Sequence, residues 1–401
     1  MAVIPSFRTV RIVIVATLVA VVVSMAMVEA WVRYSWDDKK GRPGFYLSDP
    51  LRGQRLAPGY QGWFAGVPVK INNLGFRDER EYTLAKPPGT FRIIVLGDSV
   101  TFGHGAPFAT TYPFLVEERL KAWRPDVKWE VWNLGVPGYN TSQELAYLEQ
   151  VGRPFSPDLV VVGFYPNDFT ANERVAEPSL ARRLGSAMQA IVQRTMYSYE
   201  FYKRAYLTLR WQLMTDKVDQ QRIEHLATED QLLETTAGGE DAARILSPAE
   251  FIDDSNAAEF VCPGAQSDVN SKAPTELARA LRGRSPSLAS WFEAVDGLQQ
   301  LHASGAFRVM FFINMAPIVC AGADRFVDGG TLGDDDAMLE VLGKGTPAVS
   351  STRAFLHYHP SQMPAAGGHS LGNSNRVKAD VLFDFLKTQV LPPLLPGGGA
   401  R

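Results

Sequence analysis

Three short apolar runs, each ending in a glycine-rich or polar block, constrain this chain more than any other feature of its sequence. Phe91-Arg92-Ile93-Ile94-Val95-Leu96 stops at Gly97, Trp129 to Leu134 at Gly135, and Leu159-Val160-Val161-Val162-Gly163-Phe164 at Tyr165-Pro166. Runs of this length and apolarity read as strands covered on both faces, the pattern of a parallel sheet. Between them, Phe114, Leu115, Val116, Leu120 and Trp123 repeat at helical spacing within Tyr112 to Trp123, and a second helix is expected from about Ser142 to Val151. Strands alternating with helices imply right-handed crossovers, and so a three-layer α/β/α fold around a mainly parallel sheet. The rhythm resumes with a helix at Ser287 to Leu301, a strand at Phe307 to Asn314 and an amphipathic closing helix from Asn375 to Val390.

The carboxyl ends of neighbouring parallel strands converge on one crevice, where open α/β sheets bind ligands. Three blocks stand at those ends: Gly97-Asp98-Ser99-Val100-Thr101-Phe102-Gly103, then Asn133-Leu134-Gly135-Val136-Pro137-Gly138-Tyr139-Asn140-Thr141, then Tyr165-Pro166-Asn167-Asp168. Taken singly, each has a bland reading, since Asp and Ser cap helices and Gly and Asn make turns. Taken together they fit acyl transfer, which needs a nucleophile and donors aimed at the developing oxyanion. Ser99 offers the hydroxyl, and the Ser99 N–H, the Gly138 N–H and the Asn167 amide offer three donors. Asp98 and Asp168 are expected to support them.

A serine at neutral pH also needs a base. Of the six histidines, His225 lies in a charged segment and His302 near a helix end, while His104 comes after the serine turn and could shape the pocket. His357 and His359 stand together before Pro360. His369, in Gly367-Gly368-His369-Ser370-Leu371-Gly372-Asn373, directly precedes the closing helix and is the expected base. Through these blocks the chain resembles the SGNH/GDSL hydrolase superfamily over about residues 91–170 and 287–390. That resemblance implies Ser99 as nucleophile and first oxyanion donor, Gly138 and Asn167 as the other donors, and His369 as general base. It implies no cofactor and no metal.

One position departs from the family pattern, which places an aspartate three residues before the histidine; here Ala366 stands there. Another acid could orient the ring, with Asp328 or Asp334 to Asp336 as candidates; a Ser-His dyad could suffice; or catalysis could be lost. The alternative base His359 has Leu356 at the same offset and does not repair the pattern. The expected activity is an esterase acting on an O-acyl ester, either of a surface glycan or of a short lipid, through an acyl-serine. An O-acyltransferase using the same acyl-enzyme and a silent glycan-binding scaffold are the alternatives.

Ile12 to Val28 carries no charge, with Arg8 and Arg11 before it and Trp31, Arg33, Tyr34 and Trp36 after it. This reads as a single transmembrane helix with a cytoplasmic N-terminus and an interfacial aromatic belt, which places the rest of the chain in the periplasm or outside the cell. A cleaved signal peptide ending near Ala30 is the competing reading. The expected organisation is an anchor over 1–36, a Gly-, Pro- and aromatic-rich neck over 37–90, the hydrolase domain over 91–390 and a tail over 391–401. The neck motif Asn73-Leu74-Gly75-Phe76-Arg77 resembles a membrane-anchored bacterial subgroup associated with cell-surface or polysaccharide loci. An insertion over about 171–286 includes an aromatic and basic stretch, Met196 to Trp211, read as a helix packing its aromatics on the core, with a lid or a bilayer-facing surface as the alternatives. Lys and Arg number 40 against 43 Asp and Glu, so no general pull toward nucleic acid exists. Cys262 and Cys320 are the only cysteines, a disulfide or two buried thiols depending on compartment.

Overall fold

Five strands, β5 (Thr90–Gly97), β6 (Lys128–Asn133), β7 (Leu159–Phe164), β8 (Arg308–Ile313) and β11 (Ala348–Ser350), form one sheet in the order β11-β8-β7-β5-β6. Every neighbouring pair is parallel, with Val95 opposite Asn133 and Gly97 opposite Gly163. Two short antiparallel ladders lie outside it, β9 (Ile318–Val319) with β10 (Phe326–Val327) and β12 (Ala365–Ala366) with β13 (His369–Ser370). The computed structural model describes residues 7–37, 42–169, 177–213, 275–315, 318–319, 326–327, 331–358, 363, 365–366 and 369–395.

Side chains alternate across the main sheet, as strand geometry requires. Ile94, Leu96, Val160, Val162, Phe311 and Ile313 meet Trp291, Val295 and Leu298 of the helix Ala289–Ser304 on one face. Ile93, Val95, Val161, Met310 and Phe312 meet Val116 and Leu120 of α3 (Tyr112–Trp123) and Ala379 and Leu382 of the closing helix on the other. The result is the expected α/β/α layering, with β11 as a fifth strand that its three residues do not announce.

The closing helix spans Gly372–Phe385 and so begins three residues before the expected Asn375. Its first turn buries Asn373, Ser374 and Asn375, a polar face that leaves no apolar periodicity to read. The segment expected to be a neck instead shares the main core. Two hairpins, β1 (Tyr46–Asp49) with β2 (Gly53–Leu56) and β3 (Gln61–Phe64) with β4 (Val67–Lys70), bring Phe45, Leu47, Phe64 and Val67 into one cluster with Phe102 and Trp132. Four-residue strands are too short to give a period. Asn72 then accepts from the Leu74 and Phe76 amides, which turns the chain so that Phe76 stacks on Trp132 at 4.8 Å.

At the N-terminal end, α1 (Phe7–Ser35) is a 29-residue helix whose apolar side chains are exposed as far as Met27, with Val32 buried near its end. Its last turns pack on α6 (Tyr197–Leu213), with Trp31 edge-on to Phe201 at 6.1 Å. Among the described side chains, Tyr197 and Phe201 of α6 meet α1, Tyr199 meets the helix Leu180–Thr195, and Phe201, Tyr202 and Tyr206 are exposed. Cys262, Cys320 and the charged stretch before Cys262 lie outside the described residues.

Candidate active site

Gly97 ends β5 with a φ of 154°, and Asp98 then caps the short helix α2 (Ser99–Phe102) by accepting from the Val100 amide at 2.8 Å. Ser99 is thus the first residue of a helix, where backbone N–H groups have no intrahelical acceptor and can turn to an anion. The carbonyls at the other end of α2 are also met. Asn133 Nδ2 donates to Thr101 O at 2.8 Å, and the buried Arg77 donates to Phe102 O, Gly103 O and Ala106 O at 2.6 to 2.7 Å. Burial lowers the Arg77 guanidinium to about 9, still charged at neutral pH. The Asn73 to Arg77 motif therefore has a structural use: it delivers a cation to the carbonyl end of the turn that carries Ser99.

The glycine block runs alongside this turn because β6 continues past its last residue, with Leu134 N donating to Val95 O and Val136 N to Gly97 O at 2.8 and 2.9 Å. Gly138 comes next at a φ of 80°, a left-handed conformation that suits glycine. The hairpin of β1 and β2 clamps the loop from outside: Gln54 Nε2 donates to Pro137 O at 2.8 Å, and Tyr139 Oη donates to Gln54 O at 2.6 Å. Asn167 lies in the single turn Pro166–Phe169 directly after β7, at the same edge of the sheet.

From the opposite side, the two-residue strand β13 brings an imidazole to the serine. His369 Nε2 lies 2.8 Å from Ser99 Oγ, across 270 positions of sequence. The sequence leaves His104 undecided, and the structure stacks its ring on His369, with centroids 4.3 Å apart and planes 20° apart. Burial, then the nearby His369 and Arg77, push His104 down to about 3, so its ring is neutral at physiological pH. No part of its sequence pattern announces this, because the stack depends on a loop 265 residues away in the chain.

Beneath the serine lies a cluster of buried carboxyls. Glu144 sits in α4 (Thr141–Tyr147) with no hydrogen bond to either oxygen among the described residues, and burial and then the charge of Asp98 raise it toward its protonated form. Asp168 accepts from the Tyr165 amide at 2.9 Å, and burial, then Glu144 and Asp98, raise it as well. Lys378 of the closing helix is also buried, which lowers it to about 7 against the attraction of Asp98. Among the described residues no cluster of His, Cys, Asp or Glu could hold a metal ion.

The candidate orienting acids have partners elsewhere. Asp334 caps the helix Glu276–Arg282 through Thr275 and the Ala278 amide, Asp335 accepts from Ser350 and Thr352, and Asp336 pairs with Arg353 at 2.6 Å. Asp328 and the alternative base His359 lie outside the described residues. Ala366 pairs with His369 across the ladder of β12 and β13. His302 accepts from the Val309 amide and His357 is exposed, so neither joins the site.

Residues 95–258 match the model of the GDSL-like lipase/acylhydrolase family. Over that stretch the chain carries a GDSL-like lipase/acylhydrolase domain. The match supports an ester hydrolase, and it begins on β5, two residues before Gly97. Solved structures similar to this chain include an alpha/beta hydrolase enzyme from the metagenome of Lake Arreo, Spain, at 16% identity and a TM-score of 0.38, covering 75% of this chain and 96% of that one. Others are a GDSL-like lipase from Bacteroides thetaiotaomicron (10% identity, TM-score 0.31, 74% and 87% coverage) and a variant of an acetyl xylan esterase from Geobacillus stearothermophilus (12%, 0.36, 75% and 94%). No curated protein matches the chain.

Proposed function

We propose that this protein is a membrane-anchored serine esterase working outside the cytoplasm through an acyl-enzyme on Ser99. The observation that carries the reading is the 2.8 Å approach of His369 Nε2 to Ser99 Oγ at the carboxyl edge of the sheet. In this reading Ser99 Oγ attacks the ester carbonyl while His369 Nε2 takes its proton. The oxyanion forms against the Ser99 and Gly138 N–H groups and the Asn167 amide. The imidazolium then protonates the departing alkoxide, and a water activated by the same nitrogen releases the acyl group as a carboxylic acid. The neutral His104 ring against His369 keeps the base in plane and adds no competing positive charge when the imidazolium forms. The substrate is an O-acyl ester of a surface glycan or of a short lipid.

The anchor reading rests on α1, whose most apolar 18-residue window has a mean hydropathy of 2.6 and no buried residue. Retention of the helix is supported by its far end. Glu29 accepts from the Tyr197 and Ser198 amides at 3.0 and 2.8 Å, and Arg33 donates to Thr195 O at 2.8 Å. Cleavage after Ala30 would discard Glu29 and its two bonds. The test of the chemistry is labelling of the folded full-length protein with a fluorophosphonate, alongside hydrolysis of a small activated ester. Wild type should label and turn over, and Ser99→Ala should do neither; labelling that persists in Ser99→Ala would place the nucleophile elsewhere.

A further inference from the structure

Helix α5 (Leu180–Thr195) presents its apolar side the wrong way for a soluble helix. Leu180, Leu184, Met188 and Ile191 are 72%, 60%, 64% and 59% exposed, and no residue of the helix is buried. Their spacing of four, four and three places them on one stripe, within roughly 80° around the helix axis. The side facing the protein is polar: Gln193 accepts from the Ser48 amide at 2.6 Å, and Gln189 donates to Tyr199 Oη at 3.1 Å. Single exposed leucines are ordinary, but a row of four on one helix face is a docking surface.

The position of α5 names the occupant. It ends at Thr195, whose carbonyl accepts from Arg33, and α6 begins at Tyr197, whose amide donates to Glu29. Both partners belong to the last turns of α1, just past its uncharged run, so the stripe is tied to the point where that helix would leave a bilayer. Arg183 and Arg194, exposed on the same helix at the flank of the stripe, suit anionic headgroups. We propose that α5 lies in the membrane interface, with its four apolar side chains at the acyl boundary. This rests on the membrane-anchored reading above. The tether makes weak interfacial binding intramolecular, so a modest apolar stripe suffices. It also fixes the tilt of the catalytic domain, because Gln193 holds β1, and Gln54 of the same hairpin holds Pro137 beside Gly138.

The test uses the full chain in vesicles of phosphatidylcholine and phosphatidylglycerol, with Cys262 and Cys320 replaced by serine. Flotation is read first, and protein that does not float with the lipid defeats the anchor itself. In floated protein, a nitroxide is placed at Met188→Cys on the stripe or at Arg182→Cys on the opposite side. Collisions with oxygen, which concentrates in lipid, should exceed those with a water-soluble nickel chelate at 188, and the reverse should hold at 182. A label at 188 that meets mainly the nickel chelate, or is shielded from both by another segment or a second copy, overturns the proposal while leaving the anchor standing. With the native cysteines in place, Leu184→Glu with Met188→Glu should still float and still hydrolyse a water-soluble ester. Amide exchange over 180–195 on vesicles should then be about tenfold faster than in wild type; equal rates would also overturn it.

Discussion

Ser99 stands on the turn after β5, between β6 and β7, whereas His369 stands on a strand of two residues paired, among the described residues, with Ala365–Ala366. The serine side is over-determined. Asp98 caps its helix, Asn133 and Arg77 take the far carbonyls, and the sheet register sets Gly97 beside Gly163. On the histidine side the described contacts run to the start of the closing helix and to a neighbouring ring. There the Asn375 amide side chain donates to Ser370 O at 3.0 Å, and the His104 ring lies flat on that of His369. The contrast implies that a change on the serine side should remove chemistry or stability outright, while a change around the histidine that leaves His369 itself in place should move an imidazole and cost activity by degrees.

The largest effect expected is from Ser99→Ala, with kcat/KM for a small ester down by about 10⁴-fold or more and a melting transition near that of wild type. His369→Ala should fall nearly as far, and the double variant no further, because a nucleophile and its base act as one unit. Steady-state kinetics on the three proteins would break the pairing if the losses multiplied. His104→Ala comes next, at about 10²-fold in kcat with KM little changed, as expected for a displaced base. His104→Phe should recover most of that loss, since a flat ring again backs the imidazole; no recovery would show that a polar atom of His104 is what matters.

His104 also makes a prediction about pH. Its folded value of about 3 lies below the ordinary 6.5, so the unfolded chain binds the proton more readily between those values. Stability contributed by the neutral ring is present above pH 6.5 and is lost as the pH falls through that window, by ~3 kcal/mol at pH 4. His104→Phe should show a flatter decline between pH 7 and pH 4 in denaturant titrations, and a parallel decline would sink the assignment. The smallest effect on turnover is expected from Arg77→Met. It should cost ~2–4 kcal/mol of stability through the loss of three buried charge-assisted bonds, yet keep activity within about tenfold of wild type well below the melting point.

The serine side is the more legible of the two in sequence. Strands covered on both faces announce themselves as apolar runs, and the residues after them fall at one sheet edge by geometry alone. His369 stands out only by its place before the last helix, and its 2.8 Å approach to Ser99 agrees with that placement. Arg77 and His104 are not legible, because both act through burial against distant backbone or ring atoms, and their residue types ordinarily suggest solvent or a lone pocket wall. The two hairpins escape for a different reason: strands of four residues leave no periodic signal, and their apolar residues pack on distant positions, Phe45 and Phe64 on Phe102.

Residues 83–89, between the hairpin region and β5, are almost all exposed, and they are the single covalent link between residues 1–82 and the catalytic body. A protease cutting there would sever the backbone without parting the two pieces. Phe45, Phe64 and Phe76 on one side and Phe102 and Trp132 on the other lie in a single apolar cluster, and Arg77 still reaches across to the turn of Ser99. A chain nicked in this way would behave as a non-covalent heterodimer, and on the anchored reading proposed above, shedding it would require unfolding as well as proteolysis.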